Sequence, residues 1–313
     1  MAKLDQSQHG NKASTFEHKL TLFSQASDMK SPSTQLPFGH FGLSPFRNNL
    51  RDRSGKVRKK SKFLGSTLRK ASFLGHAEPY DVEPAEGYKV RLFPSNNATD
   101  KQTYMGLEIT DTPLIMAINK AARNCPGDTF HFLDIGGNSG MYSIAAAQAA
   151  RKAGKRISLV VIEANPDMVE RLRFNLEASG VENPTIFAFA ASDKNTQVYL
   201  SLAKKNLGQA KLVRTPDEGH TIFVHARLLK DMLDEANMTR IDFLKIDIEG
   251  HEVPALTPYF STEIASRYPS TILAEVAHDS EHELVKLLEK YRYSKIEDFC
   301  DDAIFERVTE NLD

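Results

Sequence analysis

The chain is poor in cysteine: its 313 residues include two, Cys125 and Cys300. Two cysteines cannot build a disulfide framework or, on their own, a zinc site, and such sparing use fits a reducing compartment. Long apolar runs are missing as well. No stretch approaches the roughly 20 apolar residues that a membrane span needs. Residues 1–11 are polar and lack the apolar core of a signal peptide. A soluble, cytoplasmic protein is expected. Net charge is also nearly absent, at −1, but the balance hides a division. Residues 1–75 carry fourteen Lys or Arg against four Asp or Glu, a net of +10, and residues 76–313 carry a net of −11. A basic arm precedes an acidic body. The arm suits an anionic partner, whereas the body is short of the Lys and Arg that phosphate contacts require.

Residues 1–80 are rich in Ser, Gln, Asn, Lys and Arg, with scattered apolar positions. Low order is the expectation for such a composition. Within it, residues 47–70 hold ten basic residues against one acid, Asp52, bordered or interleaved by Phe46, Leu50, Val57, Phe63, Leu64 and Leu68. This pattern suits contact with a membrane, a nucleic acid or an acidic protein. It is equally that of a solvated tail, or of an arm packed on its own domain. From Tyr88 apolar runs alternate with helical patterns, so a domain is expected over 81–313. Strands are expected at 130–135, 157–162, 185–190, 241–246 and 271–276, with short ones at 198–202 and 222–224 and two more near the C-terminus. Helices are expected at 139–153, 166–179, 228–236, 253–267 and 280–291. The alternation implies an α/β, Rossmann-like fold, with a mostly parallel sheet and helices on both faces. Ligands of such sheets bind at the carboxyl ends of the strands.

Three motifs follow predicted strands. In DIGGNSG at 134–140, Gly136 and Gly137 permit a tight turn and a close backbone approach. The helix that follows presents free N–H groups at its start. The spacing is not G-x-G-x-x-G, and an acid stands two residues before the first glycine. Asp134 would repel a pyrophosphate but suits an ammonium group. S-adenosylmethionine carries both an ammonium for Asp134 and a carboxylate for the helix terminus. Glu163 ends the next strand, 23 residues after Gly140, where an acid can accept hydrogen bonds from both ribose hydroxyls. KIDIEGHE at 245–252 places Asp247, Glu249 and His251 at the end of the strand expected to neighbour the glycine-loop strand. They are suited to binding a substrate hydroxyl, taking its proton or holding a cation.

In their order, FLDIGGNSGMYS, VIEANP, FAFAASD and FLKIDIEGHE resemble the FkbM-type methyltransferases. The likeness covers roughly 88–299 and includes the approach segment NATDKQTYMG at 97–106. It implies a Rossmann-like, S-adenosylmethionine-dependent enzyme acting mostly on hydroxyl groups of natural products and sugars. It implies cofactor contacts for Asp134, Gly136, Asn138, Gly140 and Glu163, and places Ala191, Ser192 and Asp193 on the adenine side. It does not reach residues 1–80. The expected activity is methylation of a hydroxyl on a small-molecule or glycan acceptor, with Asp247 or His251 as the base. A nucleotide-dependent oxidoreductase is disfavoured by Asp134 and by the missing G-x-G-x-x-G. A non-catalytic scaffold working through the basic arm is the other alternative.

The remaining polar features read more plainly. His278 and His282 are four apart, but with no third ligand in sequence reach no metal site is expected. Glu275 ends a strand near the site and is a weaker candidate for it. Asn206-Leu-Gly208 is expected in a loop, either covering substrate or lying on the surface.

Overall fold

A computed structural model describes residues 33–107, 112–203, 206–216, 220–278 and 282–308. The chain divides into two units, Met1–Pro37 and Phe38–Asp313. Of the first, the described residues 33–37 form turns and bends. The second unit carries everything that follows.

Its centre is a seven-stranded sheet. Five strands are parallel: β3 (Thr129–Ile135), β4 (Arg156–Ile162), β5 (Thr185–Phe187), β10 (Phe243–Ile246) and β11 (Thr271–Glu275). Antiparallel β13 (Asp302–Arg307) and β12 (Tyr293–Phe299) extend it, giving the order β12-β13-β11-β10-β3-β4-β5. The parallel strands β3, β4, β10 and β11 are the largely apolar Val, Ile, Leu and Phe runs of the sequence, as strands covered on both faces require. Along β3 the side chains alternate: Phe130 and Phe132 join one core, Leu133 and Ile135 the other. The first core takes residues from α4 (Thr112–Asn124), α5 (Met141–Lys152) and α6 (Pro166–Ala178). The second takes them from α7 (Leu229–Glu235), α8 (Glu252–Thr262) and α9 (Glu283–Lys290). The chain leaves β3 towards β4 and β5 and returns on its other side as β10. The direction of winding therefore changes between β3 and β10, where such sheets open a ligand crevice.

A second sheet, ordered β6-β9-β7-β8, comprises β6 (Ala190–Ser192), β7 (Thr196–Ala203), β8 (Asn206–Val213) and β9 (His220–Leu228). Residues 206–208, expected in a loop, instead begin β8, which pairs antiparallel with β7. Its sequence, NLGQAKLV, alternates weakly because it is a half-exposed outer strand of this sheet.

The N-terminal stretch expected to lack packing differs from that expectation where it is described. Residues 1–32 lie outside the described residues. Pro45–Arg58 forms α1 and Lys62–Phe73 forms α2, an antiparallel pair. Their packed faces are made of Ser54, Gly55, Gly65 and Ser72, with Arg51 and Arg69. A search for apolar periodicity overlooks helices that meet through small and polar residues. Beyond them the hairpin of β1 (Tyr80–Val82) and β2 (Val90–Leu92) leads into α3 (Ala98–Tyr104). Among the described residues no helix is long and apolar enough to cross a membrane.

Candidate active site

A pocket opens where β3, β4 and β10 end, and Gly136, Asn138, Glu163, Asp247, Glu249 and His251 all line it. The sequence places these six in three separate motifs, and the parallel register joins them: Asp134 sits level with Val161 of β4 and with Lys245 of β10. Leaving β3, the backbone N–H groups of Gly136 and Gly137 donate to the Ile162 carbonyl at 2.8 and 3.2 Å. Gly136 has φ +80°, and a Cβ there would stand 1.9 Å from the carbonyl oxygen of Asp247. Only glycine fits a left-handed residue pressed against another loop.

Glu163 is buried at the tip of β4. One carboxylate oxygen accepts the Asn138 N–H and the other the Asn165 N–H, both at 2.8 Å. Burial pushes its carboxyl above the ordinary range, against the pull of these two donors. A carboxylate has about four acceptor positions, so each oxygen retains capacity for a ligand hydroxyl. The lining also includes Phe189, Ala191, Leu200 and Leu212, an apolar set that suits a flat base.

Asp134, Gly140, Ser192 and Asp193 are not part of the pocket lining. Asp134 is fully buried, accepts the Ser143 hydroxyl at 2.6 Å and lies 3.8 Å from the Lys245 ammonium. Its Oδ1 makes no hydrogen bond among the described residues. Burial raises its pKa, with Lys245 opposing. Gly140, at φ +92°, starts α5 against Leu172. Ser192, buried at the end of β6, meets His251 Nε2 at 2.9 Å, and its hydroxyl is 3.2 Å from exposed Asp193.

Sequence reasoning passed over several residues that build the site. Lys245 donates to the Gly136 carbonyl at 2.7 Å and stands 3.5 Å from Asp247. Burial alone would lower its pKa, but Asp247 and Asp134 beside it hold the ammonium above its ordinary value. The signal was a lysine inside an otherwise apolar strand. Asn97 donates to the Asn138 side chain at 2.7 Å, and buried Asp100 accepts the Ser139 hydroxyl at 2.6 Å. Thus α3 clasps the glycine loop from outside. Glu252 accepts the Ile248 N–H at 2.8 Å and so shapes the turn after Asp247.

The rim is acidic. Glu249, at φ +57°, approaches His278 Nε2 at 3.3 Å, and Glu275 approaches the same nitrogen at 3.7 Å. Donor atoms of Glu249, Glu275 and His278 all lie within 4.8 Å of one another, a spacing that could hold a divalent cation. The sequence pairing considered for His278 was His282; its neighbours here come from the ends of β10 and β11. Burial, reinforced by the Asp247 and Glu249 charges, pushes Glu275 up to about 8. His251 is shifted the other way: burial lowers its pKa against the pull of Asp193, which favours neutral imidazole.

The sequence profile described as the methyltransferase FkbM domain matches residues 134–295, from the glycine loop past the acidic rim. The chain belongs to this family. The FkbM domain uses S-adenosylmethionine, and the residues present fit that cofactor: the tight glycine turn at Gly136 and the retained acceptor capacity of Glu163 at the pocket wall. No curated protein matches the sequence. Among solved structures, methyltransferase FkbM from Methylobacillus flagellatus KT is similar at 15% identity and a TM-score of 0.43, over 84% of this chain and 58% of that one. An S-adenosylmethionine-dependent methyltransferase from Agrobacterium tumefaciens aligns at 12% identity and a TM-score of 0.39, over 67% of this chain and 57% of that one. The methyltransferase domain of METTL16 aligns at 12% identity and a TM-score of 0.43, over 83% and 80%. The chain spans less than two thirds of the first two.

Proposed function

We propose that this FkbM-type chain methylates a hydroxyl oxygen on a small-molecule or glycan acceptor. The observation that carries the reading is the half-buried His251 imidazole, lining the pocket that Glu163 also lines, with Nε2 2.9 Å from the Ser192 hydroxyl. When bound, S-adenosylmethionine supplies an electrophilic methyl group on a sulfonium. The protein's task is to hold that cofactor, orient the acceptor and take a proton.

Glu163 receives the ribose hydroxyls, and the first turn of α5 takes the amino-acid end, with buried Asp134 fixing that turn through the Ser143 hydroxyl. His251 takes the acceptor's proton. With the Ser192 proton directed to Asp193, the Ser192 oxygen accepts His251 Nε2–H, and Nδ1 is left basic. A neutral hydroxyl needs such an acceptor, and positioned bases contribute about 10²–10⁴-fold. Asp247, drawn to Lys245, is less available for that role and serves better to orient a sugar hydroxyl together with Glu249.

Methyl-labelled S-adenosylmethionine, offered with a panel of hydroxylated metabolites and glycans, should yield labelled ether. Label recovered on nitrogen or carbon, or no labelled product from any acceptor, overturns the proposal. A second expectation concerns Glu163→Ala. Cofactor affinity measured by calorimetry should weaken by about 1–3 kcal/mol, the scale of hydrogen bonds to a charged group. Glu163→Gln, which keeps an acceptor for one backbone N–H, should lose less. Unchanged affinity in Glu163→Ala would remove the ribose assignment.

A further inference from the structure

The helical pair α1–α2 is inverted relative to an ordinary surface helix, whose apolar stripe faces inward. Its inner face has no room for large side chains. A Cβ on Gly65 would lie 2.7 Å from the Arg58 Cβ and 2.9 Å from the Ser54 carbonyl. Phe73 packs on Tyr80 and Tyr104, but four other large apolar residues point outward: Phe46 is 73% exposed, Phe63 83%, Leu64 48% and Leu74 78%. The Arg47 guanidinium donates to the Ser72 carbonyl, so the start of α1 lies beside the end of α2, and Phe63 and Leu64 fall at the opposite tip. Exposed Lys59, Lys60 and Lys62 lead directly into that tip. The pair and the turn that joins it hold ten Lys or Arg against one acid, Asp52, which Arg51 engages at 2.7 Å.

We propose that this hairpin docks the protein on an anionic lipid bilayer, Phe63 and Leu64 entering the headgroup–acyl boundary while the neighbouring lysines meet the lipid phosphates. Charge complementarity selects an anionic surface, and the exposed aliphatic Leu64 beside Phe63 selects lipid over RNA. Phosphate contacts would use the lysines in either case. A nucleic acid would stack its bases on aromatic rings, whereas the tip pairs the Phe63 ring with an aliphatic Leu64 that has no π face to offer. Apolar side chains beside lysines are the surface-lying mode of membrane attachment, which needs no spanning helix. Two signals act together, so attachment is reversible and weakens as salt screens the charges.

The test is co-sedimentation of the full chain with sucrose-loaded vesicles, either of phosphatidylcholine alone or with one part phosphatidylserine to two of phosphatidylcholine. Binding should be at least about tenfold tighter to the serine-containing vesicles and should fall with added salt. The double replacement Phe63→Ala with Leu64→Ala keeps the charge and touches an exposed surface. It should lower vesicle binding about tenfold or more while leaving the melting temperature and cofactor affinity unchanged. Replacing Lys59, Lys60 and Lys62 by Gln should do the same. Equal binding to both vesicle types, or no binding to either, overturns the proposal. So does an undiminished double alanine variant, or polyuridylate binding that exceeds vesicle binding and ignores Phe63 and Leu64.

Discussion

Replacing His251 by Gln should lower kcat about 10²–10⁴-fold, the range for loss of a positioned base, with cofactor affinity nearly unchanged. Gln still offers a polar atom towards Ser192, so the start of α8 retains a partner there. The ordinary imidazole value is 6.5, and burial places His251 below it. The unprotonated form is the active one, so the acidic limb of kcat should lie below pH 6.5 in the parent and disappear in the variant. Ser192→Ala should act through His251, moving that limb while reducing kcat much less. A His251→Gln enzyme with parental turnover would transfer the role to another group. A parental enzyme whose rate already halves above pH 6.5 would contradict the direction of the shift.

Asp81→Ala should destabilise the fold by about 3–5 kcal/mol, because it strands a buried cation. Asp81 and Arg91 are each 1% exposed in their side chains. The pair is bidentate, at 2.7 and 2.8 Å. Asp81 also accepts the N–H groups of Gly39 and Phe41 at 2.7 and 3.0 Å. The guanidinium lies over the rings of Phe41 and Phe174, at 4.7 and 4.1 Å. One carboxylate thus binds β1, β2 and the segment entering α1. Urea unfolding measures the loss, and a change under about 1 kcal/mol would place the pair with weak surface bridges. Arg91→Met with Asp81→Leu should recover much of the stability, since no charge is then left buried without a partner.

The central sheet is readable because parallel strands buried on both faces are written as largely apolar runs, and because acids at or just after the ends of such runs stand out. Asp134, Glu163 and Asp247 were found that way. Their individual surroundings were not readable. Asp134 meets Ser143 and Lys245 rather than the pocket surface, because which face a strand residue takes depends on the helices above it. The α1–α2 pair escaped notice because glycine and serine make its inner face. Strand β8 escaped because half-exposed strands lack a strong alternation. The meeting of Glu249, Glu275 and His278 had no local signal: sequence spacing says little about neighbours on adjacent strand ends.

The contact between Gly136 and the Asp247 carbonyl matters for redesign. The glycine loop and the acidic rim are 111 positions apart along the chain, yet their backbones leave no space for one extra carbon atom. A new acceptor preference therefore cannot be installed by transplanting the whole 245–252 segment as an independent cassette. The path of the backbone at Asp247 has to be preserved to within a fraction of an ångström, or the cofactor loop must be rebuilt with it. Ile248, which packs towards Gly136, and Glu252, which holds the turn, belong to that path, so specificity is better varied at the Glu249 side chain on the rim.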